Sequence, residues 1–390
     1  MIRLTYPYTR FLTEQSKTKA IVMEYFSFYL EKQYPTQEGC LIIREQEEKK
    51  VLKEIAKGMH SLTNMIDKKP TYFIDEEKQI PLIGTNYFGI VDRDTNILEV
   101  KPITGCNINC IFCSVDEGTL SKKTSHVVVE PRYLCQQTIA LARKKKAQTH
   151  IYLNPHGEPT LYSELALLIT GLRQENNIGQ ITMITNGVLL TKEKLDIYIQ
   201  AGLSHINISI NAATKSKASA LAGRPYPVEK VKEMARYAAT KIKVIVSPVL
   251  LQGMNEEDIE TIVQWVAKEN NPNLKLGIQN FLWYKRGRNP VPSMPFDRFY
   301  HLLETWELQY KIQLRDPEVW IKVVPDPVLS KPYRVGQIIE ATIKAPGRFP
   351  GEYLAATKER SLVIRRSNLK IGAKVKTKII MNKDNIYYGT

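Results

Sequence analysis

Three of the five cysteines of the chain lie close together, at Cys106, Cys110 and Cys113, with the spacing C-x3-C-x2-C. With five cysteines in 390 residues, chance produces such a cluster in about one of several thousand cases. Three thiolates on one loop can wrap a metal centre but leave it one ligand short, because iron–sulfur cubanes and structural zinc normally take four protein ligands. The sequence therefore predicts a metal centre with one open coordination position.

The cysteine spacing alone does not identify the metal. A zinc ion is the alternative to an iron–sulfur cluster, with His126 or Cys135 as its fourth ligand, because short cysteine loops also bind zinc. Otherwise Cys40 and Cys135 are expected to be buried residues of a strand and of a helix, the usual environment of a free cysteine. Five cysteines in a chain of this length do not make a disulfide framework.

Composition predicts a folded and strongly basic protein. The chain has 43% hydrophobic and 24% charged residues, and its 390 residues suffice for two or three domains. The sequence contains no run of about 18 apolar residues, so we expect a cytoplasmic protein without a membrane anchor. The net charge is +15, and residues 331–390 hold thirteen Lys and Arg against four Asp and Glu. This excess favours a polyanionic partner.

The hydrophobic pattern changes twice along the chain. Residues 1–95 show helical spacing at 18–31 and 48–66. Residues 96–326 alternate short apolar runs with helical stretches, which indicates a parallel α/β sheet with outer helices. Strands are predicted near 97–103, 149–153, 180–185, 205–210, 242–249 and 274–279, and helices near 130–145, 162–175, 191–201, 228–240, 255–268 and 295–312.

The cysteine run resembles the signature of the radical S-adenosylmethionine (radical SAM) superfamily, including the aromatic Phe112 just before the third cysteine. The resemblance implies that Cys106, Cys110 and Cys113 hold a 4Fe-4S cluster whose fourth iron is chelated by S-adenosyl-L-methionine. It implies cleavage of this cofactor to a 5′-deoxyadenosyl radical that abstracts hydrogen from a C–H bond, with an electron donor such as ferredoxin or flavodoxin. It also implies a six-unit (β/α) partial barrel with the chemistry at the carboxyl ends of its strands.

Further matches to the superfamily follow the predicted strands. Residues 154–160 resemble the Gly-Gly-Glu-Pro segment that meets the amino group of the cofactor, with His156 in place of the first glycine. The resemblance implies cofactor contacts from residues at the strand ends and on the cysteine loop, namely Phe112, Gly157, Glu158, Asn186, Ser209, Asn211 and Ser247. The alternatives are an ordinary Pro/Gly turn at 154–160 and a helix N-cap at Asn211.

Two further features near this predicted site allow two interpretations each. Lys285, Arg286 and Arg288 follow the sixth predicted strand and could grip an anionic substrate, although a solvated run of charges is the more common role. Cys135 could carry a methyl group, as an extra cysteine does in some radical methylases, although a buried helix cysteine is favoured.

Residues 327–390 contain five short alternating strands, near 337–343, 353–356, 361–364, 374–380 and 385–388, which predict a small β-barrel of oligonucleotide-binding type. This segment resembles the TRAM domain, an RNA-binding barrel found in several radical tRNA modification enzymes. The resemblance implies phosphate contacts from its basic residues. The candidates are Lys344, Arg348, Arg360, Arg365, Arg366, Lys374 and Lys376. The alternative is a basic barrel that only packs on the enzyme.

Together these patterns predict a cytoplasmic radical SAM enzyme that modifies RNA, with tRNA as the expected partner. The predicted domains are an N-terminal cap (1–95), the partial barrel (96–326) and a TRAM-like barrel (327–390) that folds separately. Methylthiotransferases of this architecture carry three more N-terminal cysteines, whereas residues 1–95 hold only Cys40, so methylation or another C–H functionalisation is expected. The alternatives are a radical SAM enzyme acting on a protein or small molecule, such as a cobalamin-dependent methyltransferase with the barrel as a docking module, and a zinc-dependent RNA-binding protein.

Overall fold

A computed structural model describes residues 1–315 and 321–390 of the protein. Residues 316–320, which fall within the predicted partial-barrel domain, lie outside the described residues. The N-terminal part is mainly β-structure. Its elements are β1 (Ile2–Leu4), β2 (Thr9–Glu14), β3 (Lys17–Val22), β4 (Phe26–Tyr29), β5 (Thr36–Gln37), β6 (Cys40–Ile43), α1 (Glu48–Met59), β7 (Leu62–Asn64) and β8 (Pro70–Ile74).

The predicted helix over residues 18–31 is wrong, because this stretch forms the antiparallel hairpin β3–β4. Met23 and Glu24 adopt left-handed φ angles of 46° and 59° at its turn. The flanking strands are rich in β-branched and aromatic residues, which favour strands, and in so short a stretch their spacing also fits a helix. The second predicted helix is confirmed as α1, although it ends at Met59 because β7 pairs with β4 and β8. Cys40 lies on β6 as predicted, but it is half-buried.

The central part alternates strands and helices. Its elements are β9 (Gly89–Asp92), β10 (Ile97–Lys101), β11 (Thr104–Gly105), β12 (His126–Val129), α2 (Pro131–Ala142), β13 (Thr149–Leu153), β14 (His156–Gly157), α3 (Leu165–Arg173), β15 (Ile178–Thr185), α4 (Lys192–Ala201), β16 (His205–Ile208), α5 (Lys215–Ala222), α6 (Val228–Ala239), β17 (Lys243–Val246), β18 (Val249–Leu250), α7 (Glu256–Glu269), β19 (Leu274–Leu276), β20 (Gln279–Asn280) and α8 (Phe296–Tyr310).

Six of these strands form one parallel sheet in chain order, β10-β13-β15-β16-β17-β19, and β9 pairs antiparallel with the outer edge of β10. All six predicted strands and all six predicted helices of this part are confirmed in place. Closure of the sheet into the six-unit partial barrel stays a prediction. Because the strands are parallel, their carboxyl ends meet at one edge of the sheet, where α/β folds place their sites.

The cysteine loop connects two different sheets. The chain leaves the central sheet after β10, passes through the three cysteines and then enters β12, which pairs with β8 in a six-stranded sheet of order β12-β8-β7-β4-β3-β2. The N-terminal sheet therefore includes β12 from the central part, and β9, which falls within the predicted cap of residues 1–95, belongs to the central sheet. The predicted boundary near residue 95 does not separate the strands of the two parts.

The C-terminal part is a closed five-stranded barrel made of β21 (Ile338–Pro346), β22 (Glu352–Ala356), β23 (Ser361–Arg365), β24 (Lys374–Met381) and β25 (Tyr388–Gly389), in the order β21-β22-β23-β25-β24. The prediction of a small barrel is confirmed. One set of its apolar side chains fills its own interior, whereas Leu354, Val363 and Tyr388 pack into the main core of the protein. The barrel therefore shares its core with the rest of the chain, and the expectation of separate folding is wrong. Among the described helices, none is long and apolar enough to cross a membrane.

Candidate functional site

A cavity of about 480 Å³ opens at the carboxyl ends of the parallel strands, within the size range of ligand sites. The three cysteines and six of the seven predicted cofactor-binding residues line this cysteine cavity, namely Cys106, Cys110, Cys113, Phe112, Gly157, Glu158, Asn186, Ser209 and Asn211. Ser247, the seventh, does not line it. Ser247 is buried, and its hydroxyl lies 3.5 Å from the carbonyl oxygen of Ile245.

The start of the cysteine loop lies on the end of α5. The backbone N–H groups of Asn109 and Ile111 donate to the carbonyl oxygens of Ala222 and Leu221, at 2.8 and 3.0 Å. Gly223 follows with a left-handed φ of 61°, and a Cβ at this position would lie 2.6 Å from the carbonyl oxygen of Asn109. Only glycine allows α5 to end this close to the loop.

Arg288 holds the other side of the same loop. Its Nε donates to Asp116 at 2.7 Å, and its two terminal nitrogens donate to the carbonyl oxygens of Cys110 and Glu117 at 3.0 and 2.9 Å. Its backbone N–H donates to the carbonyl oxygen of Cys113 at 2.9 Å. Both sequence interpretations of Arg288, a substrate grip and a solvated charge, are wrong, because this residue positions the cysteine loop.

Glu158 connects the segment that follows β14 to the end of β15 under the cavity. Its carboxylate accepts hydrogen bonds from the Thr185 hydroxyl at 2.6 Å, from the backbone N–H of Asn186 at 2.8 Å, and from Thr160. Burial raises the pKa of Glu158, and these hydrogen bonds oppose the rise. The Asn186 side chain in turn donates to Asn107 at 2.8 Å and lies 3.7 Å from the sulfur of Cys106. Glu158 therefore orients the residues that face the cysteines.

Ser209 and Asn211 reach the cavity from the end of β16. The side-chain amide oxygen of Asn211 accepts from the backbone N–H of Val249 at 2.8 Å, and the N-cap of α5 is Thr214. The helix-cap interpretation of Asn211 is therefore wrong. Sequence reasoning missed Tyr226, whose buried hydroxyl lies 2.9 Å from the carbonyl oxygen of Asn186 and 2.7 Å from that of Ser209. No local sequence signal marks this contact.

The residues of the cavity fit an iron–sulfur cluster. Three thiols are the donor set that a cubane takes from a loop of this kind, with one iron left for another ligand. Burial raises the pKa of Cys110 to about 12 and the pKa of Cys106 well above its usual value, so iron must displace protons from these thiols. Within the described ranges, no group of three or more His, Cys, Asp and Glu side chains is arranged to hold a single metal ion.

The two residues proposed as a fourth zinc ligand lie elsewhere. His126 is buried, with one ring nitrogen 2.8 Å from Asp67 and the other 3.4 Å from the hydroxyl of Thr104. Cys135 lies on α2 as predicted and is half-buried against Gly171 of α3, where an added Cβ would meet its sulfur at 2.6 Å. Neither residue lines the cysteine cavity.

The predicted RNA-contact residues fall into two groups. Arg348 and Arg360 are buried and bond within the chain, Arg348 to Glu117 at 2.8 Å and Arg360 to the carbonyl oxygen of Ser330 at 2.7 Å. Both are therefore buried and not part of the exposed barrel surface, because strand alternation does not show which barrel face is covered. Lys344 is half-buried and donates to the carbonyl oxygen of Lys78 at 3.1 Å. The exposed candidates are Arg365, Arg366, Lys374 and Lys376.

Comparison with known proteins finds a family model, curated relatives and solved structures that are similar to this chain. The family model described as the Radical SAM superfamily matches residues 100–266. An uncharacterised protein of Methanocaldococcus jannaschii is 33% identical over 362 residues, which cover 84% of this chain and 82% of that protein. A GTP 3′,8-cyclase of Thermodesulfovibrio yellowstonii is 29% identical over 180 residues, so the match spans 45% of this chain and 54% of the cyclase. Among solved structures, Streptococcus suis SuiB bound to S-adenosylmethionine is 16% identical, with a TM-score of 0.43, over 70% of this chain and 56% of that one.

Proposed function

The chain belongs to the radical SAM superfamily, and on that premise we propose that it is an RNA-modifying enzyme that acts on tRNA by C–H functionalisation such as methylation. The cofactors of the superfamily are a 4Fe-4S cluster and S-adenosyl-L-methionine, which together supply one-electron chemistry that activates a C–H bond. In this chain Cys106, Cys110 and Cys113 would hold the cluster. Ser209 and Asn211 would orient the second cofactor, and a ferredoxin or flavodoxin would donate the electron.

One observation carries the choice of RNA, namely an exposed aromatic rim at the mouth of the cysteine cavity. The rim consists of Trp283, Tyr284, Phe296 and Tyr300, which are 62%, 46%, 53% and 50% exposed. Tyr284 and Phe296 line the cavity, and the rings of Phe296 and Tyr300 stack with centroids 6.1 Å apart. Exposed aromatic residues next to cations form the stacking platforms of proteins that bind single-stranded RNA. Lys285 and Arg286 provide those cations.

The barrel adds a second basic surface. Lys374, Lys376 and Lys378 alternate along β24 with buried or half-buried residues, so their side chains share the outward face of the strand. Arg365 and Arg366 are exposed at the end of β23. Such a surface suits phosphate contacts that are independent of RNA sequence. The proposal includes the assignment of this barrel as a TRAM domain.

The test measures tRNA affinity as salt rises. Phosphate contacts release counterions, so log K against log salt should fall with a slope of about −0.7 for each single-strand phosphate neutralised. Exchanging Lys374 and Lys376 for Glu should weaken binding and flatten this slope. The same exchange at the exposed Lys50 and Lys53 of α1 is the matched control. Equal tRNA affinity in both double variants, or no salt dependence, would contradict the proposal.

The modified product identifies the substrate directly. Mass spectrometry of RNA nucleosides from cells with and without the gene should reveal one nucleoside that depends on the protein. The second candidate is a small nucleotide substrate, which the similarity to GTP 3′,8-cyclases favours, although the match spans only about half of the cyclase. A protein substrate with the barrel as a docking module is the remaining alternative. An unchanged nucleoside profile would favour one of these two.

A further inference from the structure

A second cavity, of about 490 Å³, lies beside the cysteine cavity and shares Ser114, Asn154 and Tyr284 with it. Six cationic side chains line this basic cavity, namely Arg93, Lys101, Lys123, Lys285, Arg286 and Arg348. Among the residues that the structure describes, two carboxylates line it, Glu99 and Glu352. Residues from the N-terminal part, the central part and the C-terminal barrel all contribute, so this cavity exists only in the assembled chain.

Ion pairs neutralise part of this charge. Arg93 and Lys101 pair with Glu99 at 2.6 and 2.8 Å, and Arg286 pairs with Glu352 at 2.7 Å. Two more carboxylates lie behind the wall: Asp384 pairs with Arg93 at 2.7 Å, and Glu117 pairs with Lys123 and Arg348 at 2.5 and 2.8 Å. The six cations still exceed all four carboxylates by two. An excess of positive charge lining a cleft favours an anionic ligand.

Arg348 lines the basic cavity and carries buried hydrogen-bond donors that have no acceptor among the described residues. Its side chain is only 3% exposed, and one terminal nitrogen donates to both oxygens of Glu117, at 2.8 and 3.0 Å. Its Nε and other terminal nitrogen are buried and have no hydrogen-bond partner among the described residues. Buried donors without acceptors are destabilising, and an anionic oxygen is the acceptor that a guanidinium N–H bonds most strongly.

His156 forms the wall between the two cavities. Its side chain lines the basic cavity, while the next residue, Gly157, lines the cysteine cavity. Burial lowers the pKa of His156 well below its usual value, and Lys101, Lys123 and Arg348 lower it further. The imidazole therefore stays neutral in a strongly positive environment. His156 stands in place of the first glycine of the superfamily segment, so the residue that differs from the superfamily lines the basic cavity.

We propose that the basic cavity binds a phosphate group of the substrate through Arg348, Lys285 and Arg286, and that the attached nucleoside reaches past Tyr284 into the cysteine cavity. Ser114, Asn154 and Tyr284 line both cavities, so the two sites are neighbours along this route. The inference rests on the proposed function only for the identity of the substrate that carries the phosphate. A phosphate of tRNA and a phosphate of a free nucleotide offer the same chemistry to these side chains.

Calorimetric titration of the anaerobic holoenzyme with inorganic diphosphate tests the cavity itself. We expect one diphosphate per chain, with affinity reduced about tenfold or more in Arg348→Lys, which keeps a cation beside Glu117 but loses the free N–H groups. Lys285→Ala removes an exposed side chain that makes no ion pair within the described residues, so folding is not at risk. It should also weaken binding, whereas Lys53→Ala on α1 should not. Equal diphosphate affinity in all four proteins, or no binding, would overturn the proposal.

Competition separates this inference from the proposed function. Diphosphate should displace tRNA from the wild-type protein and do so less well in Lys285→Ala. If diphosphate instead competes with GTP while tRNA does not bind, the phosphate site stands and the RNA proposal fails. If tRNA binds and diphosphate cannot displace it, and both cavity variants bind tRNA like the wild type, the phosphate site fails while the RNA proposal stands.

Discussion

Replacement of Arg288 by alanine tests how the cysteine loop is held. The guanidinium bonds to Asp116 and to the carbonyl oxygens of Cys110 and Glu117, so three contacts to one loop are lost at once. The backbone N–H of Arg288 still reaches the carbonyl oxygen of Cys113, and the contacts of the loop with α5 remain. We therefore expect the loop to open locally more often while the protein stays folded.

The size of the effect follows from these contacts. A hydrogen bond to a charged group contributes about 1.5–3 kcal/mol. The Arg288 side chain is still 19% exposed and its three bonds are not additive, so we expect a total loss of about 2–4 kcal/mol. Since about 1.4 kcal/mol changes an equilibrium constant tenfold, the open fraction of the loop should rise about 30- to 1000-fold. Arg288→Lys keeps a cation near Asp116 and should show a smaller rise.

The rate of iron loss to a chelator measures this opening. Anaerobically reconstituted protein is mixed with excess chelator, and the visible absorbance of the cluster is followed with time. Arg298→Ala on α8 is the matched control, because Arg298 is exposed and makes no ion pair in the described part of the chain. Iron loss should be fast in Arg288→Ala and unchanged in Arg298→Ala. Equal rates in the three proteins would refute the positioning role of Arg288.

Three further predictions concern the same site, and a fourth concerns His205 at the start of β16. Anaerobic protein should bind about four irons per chain, and Cys106→Ala should lose them, whereas stoichiometric zinc would contradict the cluster. Gly157→Ala should lower the melting temperature and S-adenosylmethionine affinity more than Gly253→Ala, because its Cβ would lie 1.9 Å from a carbonyl oxygen while Gly253 has nothing within 4 Å. Asn211→Ala should keep the cluster and bind the cofactor about tenfold to a hundredfold more weakly by equilibrium dialysis. Burial and Lys243 lower the pKa of His205 to about 4, so stability should be full above about pH 6.5 and fall toward about pH 4, and His205→Gln should lessen this fall in denaturant titrations.

Local patterns predicted the strands and helices of the central sheet and the five strands of the barrel, because short apolar runs and helical spacing act over a few residues. The same rule failed at residues 18–31, where a tight hairpin holds too few residues to distinguish the two periods. The contacts of Arg288 and Tyr226 could not be predicted, because the partners of Arg288 lie more than 170 residues away in the sequence and those of Tyr226 lie on two other strand ends. Motif spacing indicates candidate binding residues, and only tertiary packing shows which residues position them.

The burial of Arg348 decides how the barrel must be studied. Arg348 and Glu117 are 3% and 2% exposed, and the backbone N–H of Glu117 lies 3.4 Å from the sulfur of Cys113, so the barrel pairs with a residue that touches the cysteine loop. Removing one partner of a buried ion pair costs about 3–5 kcal/mol. Deletion of residues 331–390 would also remove Leu354 and Val363, and it would expose the side chains of the main core that they cover. A truncated chain should therefore lose the cluster together with any RNA binding, so only charge changes on the outward face of the barrel can separate binding from folding.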